Sequence, residues 1–214
     1  MISDQPADFP LLDRQTVLPG MVVDIRRDVF DLDGVEVTRE YVLHPGAVGI
    51  IAVNELGQML LVEQYRHPIS TVMWEPPAGL LDVTDEDPLV AAKRELLEET
   101  GYEADSWSVL FDFANSPGGS SEQLRCYLAH DLREHPDGRP VGDAEERNMP
   151  VHWIPIAEVV EAISQGRVTH PLLVAGTFAL LTAMAEPDSV LRPSDAPWAA
   201  RASLLERDRV RLPR

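Results

Sequence analysis

A mixed α+β fold is predicted for this chain of 214 residues by three features. Apolar residues alternate on both sides of Asp33-Gly34, which is a strand hairpin with a tight turn. One helix carries strong boundary signals, Asp87-Pro88 at its start and Gly101 at its end. Strand-like and helix-like stretches then continue to Glu186, with no internal repeat and no linker long enough to split the chain.

Taken in order, residues 1–20 contain Pro6, Pro10 and Pro19 and read as loosely organised. Two alternating runs, 21–31 and 35–43, form the hairpin. A buried strand at 47–53 pairs, across a turn at Asn54–Gln58, with a strand at 59–65. The segment "SWSVLFDFANSPGGSSEQLRCYLAHDL" supplies two strands around a Pro-Gly-Gly loop. "PVHWIPIAEVVEAISQG" is a strand entering a helix over Ile156–Ser164 that Gly166 closes. "HPLLVAGTFALLTAMAE" is a helix apolar nearly all round, which implies burial in the core or at a subunit contact.

Composition narrows the function. A 44% hydrophobic and 25% charged chain is ordinary for a globular protein. The longest apolar runs fall short of a membrane span, and the first residues lack a secretory signal pattern. A single cysteine, Cys126, excludes a disulfide framework and reads as a small core residue. These features point to a cytoplasmic protein without a membrane partner. A net charge of −18 argues against nucleic acid, whose phosphates bind basic surfaces. Residues 192–214 hold six arginines against three acids, so this +3 tail leaves −21 on the rest. The tail, 187–214 with its prolines, is expected to be a partly ordered extension rather than a segment folded back onto the acidic body.

The helix from Pro88 contains an electrostatic fault. Glu95, Glu98 and Glu99 stand at i, i+3 and i+4 and share one patch. They also lie in the last turn, where the helix dipole disfavours anions. Lys93 and Arg94 offset part of this repulsion. A solvated, salt-bridged surface face is one explanation. The other is a set of hard oxygen ligands for Mg²⁺ or Mn²⁺. The stiff segment Glu75-Pro76-Pro77-Ala78-Gly79 precedes the helix, and Gly79 permits close approach of chain or ligand.

Together these residues resemble the Nudix hydrolases. Glu86, Arg94, Glu95, Leu96, Glu98, Glu99, Gly101 and Tyr102 match the Nudix box in register. Gly79 departs from it, lying seven positions before Glu86 where the pattern has six. Either Asp85 takes the glutamate role or the loop carries one extra residue. The spacing of Glu86 to Arg94 favours the inserted residue. The resemblance implies a Nudix α/β/α sandwich with a mixed sheet and an N-terminal β-hairpin extension. It implies an extension over residues 1–44 that makes a dimer contact, and a hydrolase domain over 45–186. It also implies Mg²⁺, with Mn²⁺ as the other option. Glu95 and Glu99 become the chief metal ligands, Glu98 assists in ligation and catalysis, and the Ala78 carbonyl is a backbone ligand. Gly79, Glu86 and Arg94 take structural parts, Glu86 and Arg94 through a salt bridge.

Segments outside the box resemble the ADP-ribose pyrophosphatase branch. "EQYRHPI" places Arg66 on the diphosphate, "WEPPAG" places Glu75 near the substrate, and "SPGGSSE" makes Gly119, Ser120 and Glu122 loop and metal-shell residues. Pro117, sixteen residues past Gly101, matches a proline that marks the branch. Arg27 and Arg39, with Arg26 and Tyr41, lie on or near the hairpin, where either subunit of a homodimer would use them. The catalytic base falls to Glu145 or Glu146 in "GDAEERNMPVHW", and counting back from "VHW" favours Glu145. The six histidines show no metal-ligand spacing. The resemblance therefore implies hydrolysis of a nucleoside diphosphate sugar, ADP-ribose to AMP and ribose 5-phosphate. Its rivals are another substrate, such as ADP-glucose, GDP-mannose or an oxidised nucleotide, and a domain that senses ADP-ribose without cleaving it.

Overall fold

The computed structural model describes residues 2–140 and 149–213. Strands β1 (Leu11–Leu18), β2 (Asp24–Leu32) and β3 (Val35–Leu43) form an antiparallel sheet at the N-terminus. Asp33 and Gly34 both adopt positive φ, the two-residue hairpin geometry that Asp-Gly favours. The expectation that residues 1–20 are loosely organised is corrected by β1, which pairs with β2 from Leu11 to Leu18. That strand is exposed on nearly every residue. Its pairing therefore leaves no inside-outside alternation to read.

The central sheet joins β4 (Ala47–Ala52), β7 (Ala78–Leu80), β8 (Tyr102–Ala114), β9 (Gln123–Glu134) and β11 (Arg192–Pro193), in the order β11-β8-β9-β4-β7. β4 runs parallel to β9, and the other pairs are antiparallel, so the sheet is mixed. A smaller sheet sets β5 (Gln58–Arg66) between β6 (Thr71–Glu75) and β10 (Val151–Pro155). The two faces of β4 pack into different cores. Ala47 and Ile51 join a cluster with Leu172, Leu173 and Leu180, while Val48, Ile50 and Ala52 join one with Ala91, Ala92 and Leu96. Helix α1 (Pro88–Thr100) thus covers one face, and α2 (Ile156–Ser164) with α3 (Pro171–Ala185) covers the other. This is an α/β/α sandwich. Cys126 is fully buried in the second of these layers, and burial pushes its thiol pKa up, as suits a core residue.

The C-terminal segment also corrects expectation, because it folds back. After α4 (Pro187–Val190) and β11, helix α5 (Ala199–Glu206) leads to a run of arginines docked on the body. Arg125 donates to the carbonyls of Ala196 and Pro197, and Trp198 lies beneath Arg125 and Arg201. Arg209 pairs with Asp28 and donates to Tyr41 Oη at 2.8 Å. Asp28 is 1% exposed and also takes Arg14 at 3.0 Å. The acidic body draws the basic tail onto buried carboxylates, where an ion is stable only when paired.

Candidate active site

Helix α1 brings the acidic cluster to the sheet through its capping. Asp87 Oδ1 accepts from the Leu89 N–H at 2.8 Å, Pro88 occupies the first turn, and Gly101 ends the helix at φ 78°. This register turns Glu95 and Glu99, 8% and 4% exposed, toward the sheet instead of leaving them on the surface. Glu99 Oε2 accepts from the Ala78 N–H at 3.0 Å. A Cβ placed on Gly79 would lie under 3.0 Å from Cγ, Cδ and Oε1 of Glu95. Glycine is therefore required by the approach of that carboxylate to the backbone.

The positive group between the glutamates is Arg94. Its Nη1 donates to Glu95 Oε1 at 2.7 Å and to Glu98 Oε2 at 2.9 Å. Its Nε and Nη2 meet both oxygens of Glu86 at 2.9 and 3.0 Å. The Glu86 pairing above all, with Glu95 and Glu98 adding, raises the guanidinium's pKa further. Glu86, not Asp85, thus makes the brace that the box spacing anticipates. Asp85, next to Glu86, adopts a left-handed conformation, φ 59°, which Asp tolerates.

Beside this cluster lies a cavity of about 300 Å³ lined by Arg66, Ala78, Gly79, Asn115, Glu122 and His170, among others. Arg66 and Glu75 form a two-pronged ion pair, 2.8 Å to Oε1 and 2.5 Å to Oε2, with Glu75 1% exposed. His170 Nε2 stands 3.3 Å from Glu75 Oε2, and His44 Nε2 stands 3.7 Å from Glu122 Oε1. Burial lowers the pKa of both imidazoles, against the opposing pull of their glutamates. Reading the histidines by spacing missed these two. The remaining signal, His170-Pro171 at the head of a helix, says only where the ring sits in sequence.

Arg66, Glu75, Ala78, Gly79, Glu95, Glu99 and Glu122 therefore gather at one place, with Glu98 at its rim through Arg94. Gly119 and Ser120 belong to the adjoining loop. The Gly119 carbonyl accepts from Val42 N–H at 2.9 Å, and Ser120 Oγ accepts from Glu122 N–H at 3.1 Å. Both line a second cavity of about 440 Å³, together with Arg39, Tyr41, Arg207 and Arg209. Arg27 is on the N-terminal sheet, paired with Glu40 at 2.5 Å, and lines neither cavity. Glu145 and Glu146 lie outside the described residues.

The donors at the acidic site are hard oxygens, the chemistry of a hard divalent-cation site. Among the described residues no three carboxylates or imidazoles converge on one point at ligating distance. Arg94 occupies the space between Glu95 and Glu98 in their place. The donor set fits a hard divalent cation, and the tight seat of Glu95 over Gly79 holds one donor against the loop.

The NUDIX domain profile matches residues 43–173. An ADP-ribose pyrophosphatase of Mycobacterium tuberculosis is 41% identical over 198 residues, covering 91% of this chain and 93% of that protein. A methanol dehydrogenase activator of Bacillus methanolicus is 36% identical over 155 residues, 72% of this chain and 82% of that one. The crystal structure of an ADP compounds hydrolase superposes with a TM-score of 0.73 at 21% identity, covering 88% of this chain and all of that one, a likeness of fold. With the box residues in register on a capped helix, and with the domain match spanning most of the sandwich, the chain belongs to the Nudix family.

Proposed function

We propose that this protein hydrolyses the diphosphate of a nucleoside diphosphate sugar, ADP-ribose first, to give AMP and ribose 5-phosphate. The observation that carries this reading is the burial of Glu95 and Glu99 beneath the Ala78-Gly79 backbone, beside a cavity that also holds Arg66. The similarity to the mycobacterial ADP-ribose pyrophosphatase over nearly the whole chain supports the choice of substrate.

Glu95, Glu98, Glu99 and the Ala78 carbonyl would hold Mg²⁺, or Mn²⁺, which when bound neutralises diphosphate charge and lowers the pKa of water. Arg66, held by Glu75, binds a diphosphate oxygen and orients the bond to be cleaved. Arg94 keeps Glu95 and Glu98 in place through charge-assisted hydrogen bonds while Glu86 braces it from behind. Glu122 faces the same cavity and orients the ligand set. Glu145 or Glu146 supplies the base that takes the proton from the attacking water.

The N-terminal sheet and the turn from β1 to β2 expose Leu11, Leu12, Val17, Leu18, Met21 and Val35, apolar side chains that favour a homodimer. In that dimer residues 1–44 form the contact, 45–186 the catalytic unit, and 187–214 the docked tail. Arg27, Arg39, Gly119 and Ser120 then border the nucleoside. Among the described residues no helix is long and apolar enough to cross a membrane. We place the protein in the cytoplasm because its one cysteine is buried as a free thiol in the core.

The test is a panel of ADP-ribose, ADP-glucose and GDP-mannose with Mg²⁺ or Mn²⁺, read by product identification. ADP-ribose should be cleaved fastest, with AMP formed. Preferred cleavage of GDP-mannose would replace the substrate, and no cleavage of any member would overturn the reading.

A further inference from the structure

His170 belongs to none of the motifs that mark the site, yet the fold delivers it to the buried carboxylate behind Arg66. It precedes Pro171 at the head of α3 and makes no side-chain capping bond to that helix. Its Nε2 is 3.3 Å from Glu75 Oε2. Arg66 engages the same carboxylate from the other side, and its side chain is 40% exposed where Glu75 is almost sealed. Arg66 is held by Glu75 on one side and lines the cavity.

Ionised Glu75 offers about four lone-pair sites, and Arg66 uses two of them. A carboxylate this buried is stable only when its remaining lone pairs find donors. A ring nitrogen that donates to this carboxylate must carry the proton, so the 3.3 Å approach calls for the Nε2–H tautomer, which leaves Nδ1 as an acceptor. That Nδ1 is buried with no hydrogen-bond partner among the described residues. An orphaned buried acceptor costs stability, whereas an apolar side chain there would carry no such cost. The imidazole therefore serves Glu75 rather than the helix. Being neutral, it adds a donor without adding a second positive charge that would compete with Arg66 for the carboxylate.

We propose that His170 is a positioning residue: through Glu75 it fixes the orientation in which the Arg66 guanidinium meets the diphosphate. The inference rests on the cavity being the diphosphate site. Three measurements test it on the full chain. Steady-state kinetics on the best substrate of the panel compare wild type with His170→Leu, which keeps bulk but no donor, and His170→Gln, whose amide reaches Glu75. Calorimetry without divalent metal measures ADP affinity. Nitrogen-15 NMR of the wild-type ring locates its proton.

His170→Leu should raise KM and weaken ADP by about tenfold, with kcat within about threefold, since a lost bond to a charged group acts here on binding. His170→Gln should return both to within about threefold of wild type, and the ring proton should be on Nε2. Unchanged KM in His170→Leu, equal impairment in His170→Gln, or a proton on Nδ1 would overturn the proposal. If wild type cleaves no diphosphate, the proposed function fails, while ADP affinity and the ring proton still decide the role of His170. The NMR result needs no variant, so a folding defect in His170→Leu leaves the test intact.

Discussion

Replacing Gly79 by alanine separates the needs of the fold from those of the site. The new Cβ would lie under 3.0 Å from three atoms of the Glu95 side chain, and no other residue is among its nearest neighbours. Carbon atoms settle about 3.5–4 Å apart, so the carboxylate must move by about 1 Å or more. Its bond to Arg94, now 2.7 Å, then stretches or breaks. The Gly79 φ is not in the left-handed region, so the backbone imposes no strain of its own. The obstructed group is the end of a flexible side chain. The cost to stability should therefore be about 1 kcal/mol, that of one partly buried ion pair. Activity should respond far more strongly. A ligand misplaced by about 1 Å can cost about 100-fold in rate. The assay is ADP-ribose hydrolysis at saturating Mg²⁺, beside a thermal melt of the same preparation. A loss of about 100-fold with the melting temperature lowered by no more than roughly 4 °C is expected. Activity within threefold of wild type would refute the placement of Glu95 in the reaction.

Arg94→Met leaves Glu86, Glu95 and Glu98 without their shared cation and should cost about 2 kcal/mol. Calorimetry should show Mg²⁺ recovering more stability in that variant than in wild type, because the ion neutralises the same carboxylates. Asp28→Asn removes the buried charge that holds Arg14 and Arg209 and should cost about 3 kcal/mol. Trypsin should then cut the segment 201–213 faster than in wild type. Burial, with Arg201 adding at His44 and Arg66 at His170, lowers the pKa of both rings against the opposing pull of Glu122 and Glu75. The unfolded chain therefore binds more protons below about pH 6.5, and the stability these neutral rings contribute falls as pH drops through that value toward their folded pKa. Melts from pH 8 to pH 5 should decline less steeply for His170→Gln than for wild type.

What was legible in the sequence was local. Asp33-Gly34 sets its own hairpin, and Asp87, Pro88 and Gly101 bound α1 by rules that act within a turn or two. The box glutamates stood out because repulsion and the helix dipole both oppose their positions. Features made by distant partners were not legible. Strand β7 is only three residues long, and its partner β4 lies about thirty residues earlier in the chain. The tail docks through Arg209 onto Asp28, 181 residues away. The helix pattern left Glu95 and Glu99 between a solvated face and a ligand set, because it cannot show which sheet will cover that face. His170 carries no spacing signal, since its meaning comes from Glu75 on another element. The long spacing from Gly79 to Glu86 was visible in the sequence, but the left-handed turn at Asp85 and the bond from Arg94 to Glu86 beyond it were not.

The central claim is that the crowded acids on α1 exist for the chemistry and not for the fold. Glu99→Gln tests it most directly, because a glutamine oxygen can still accept from the Ala78 N–H that Glu99 now binds at 3.0 Å. Assayed with ADP-ribose and Mg²⁺, wild type should release AMP and ribose 5-phosphate in equal amounts. The variant should melt like wild type and release neither. Turnover by Glu99→Gln, or none by wild type with Mg²⁺ or Mn²⁺, would contradict the account.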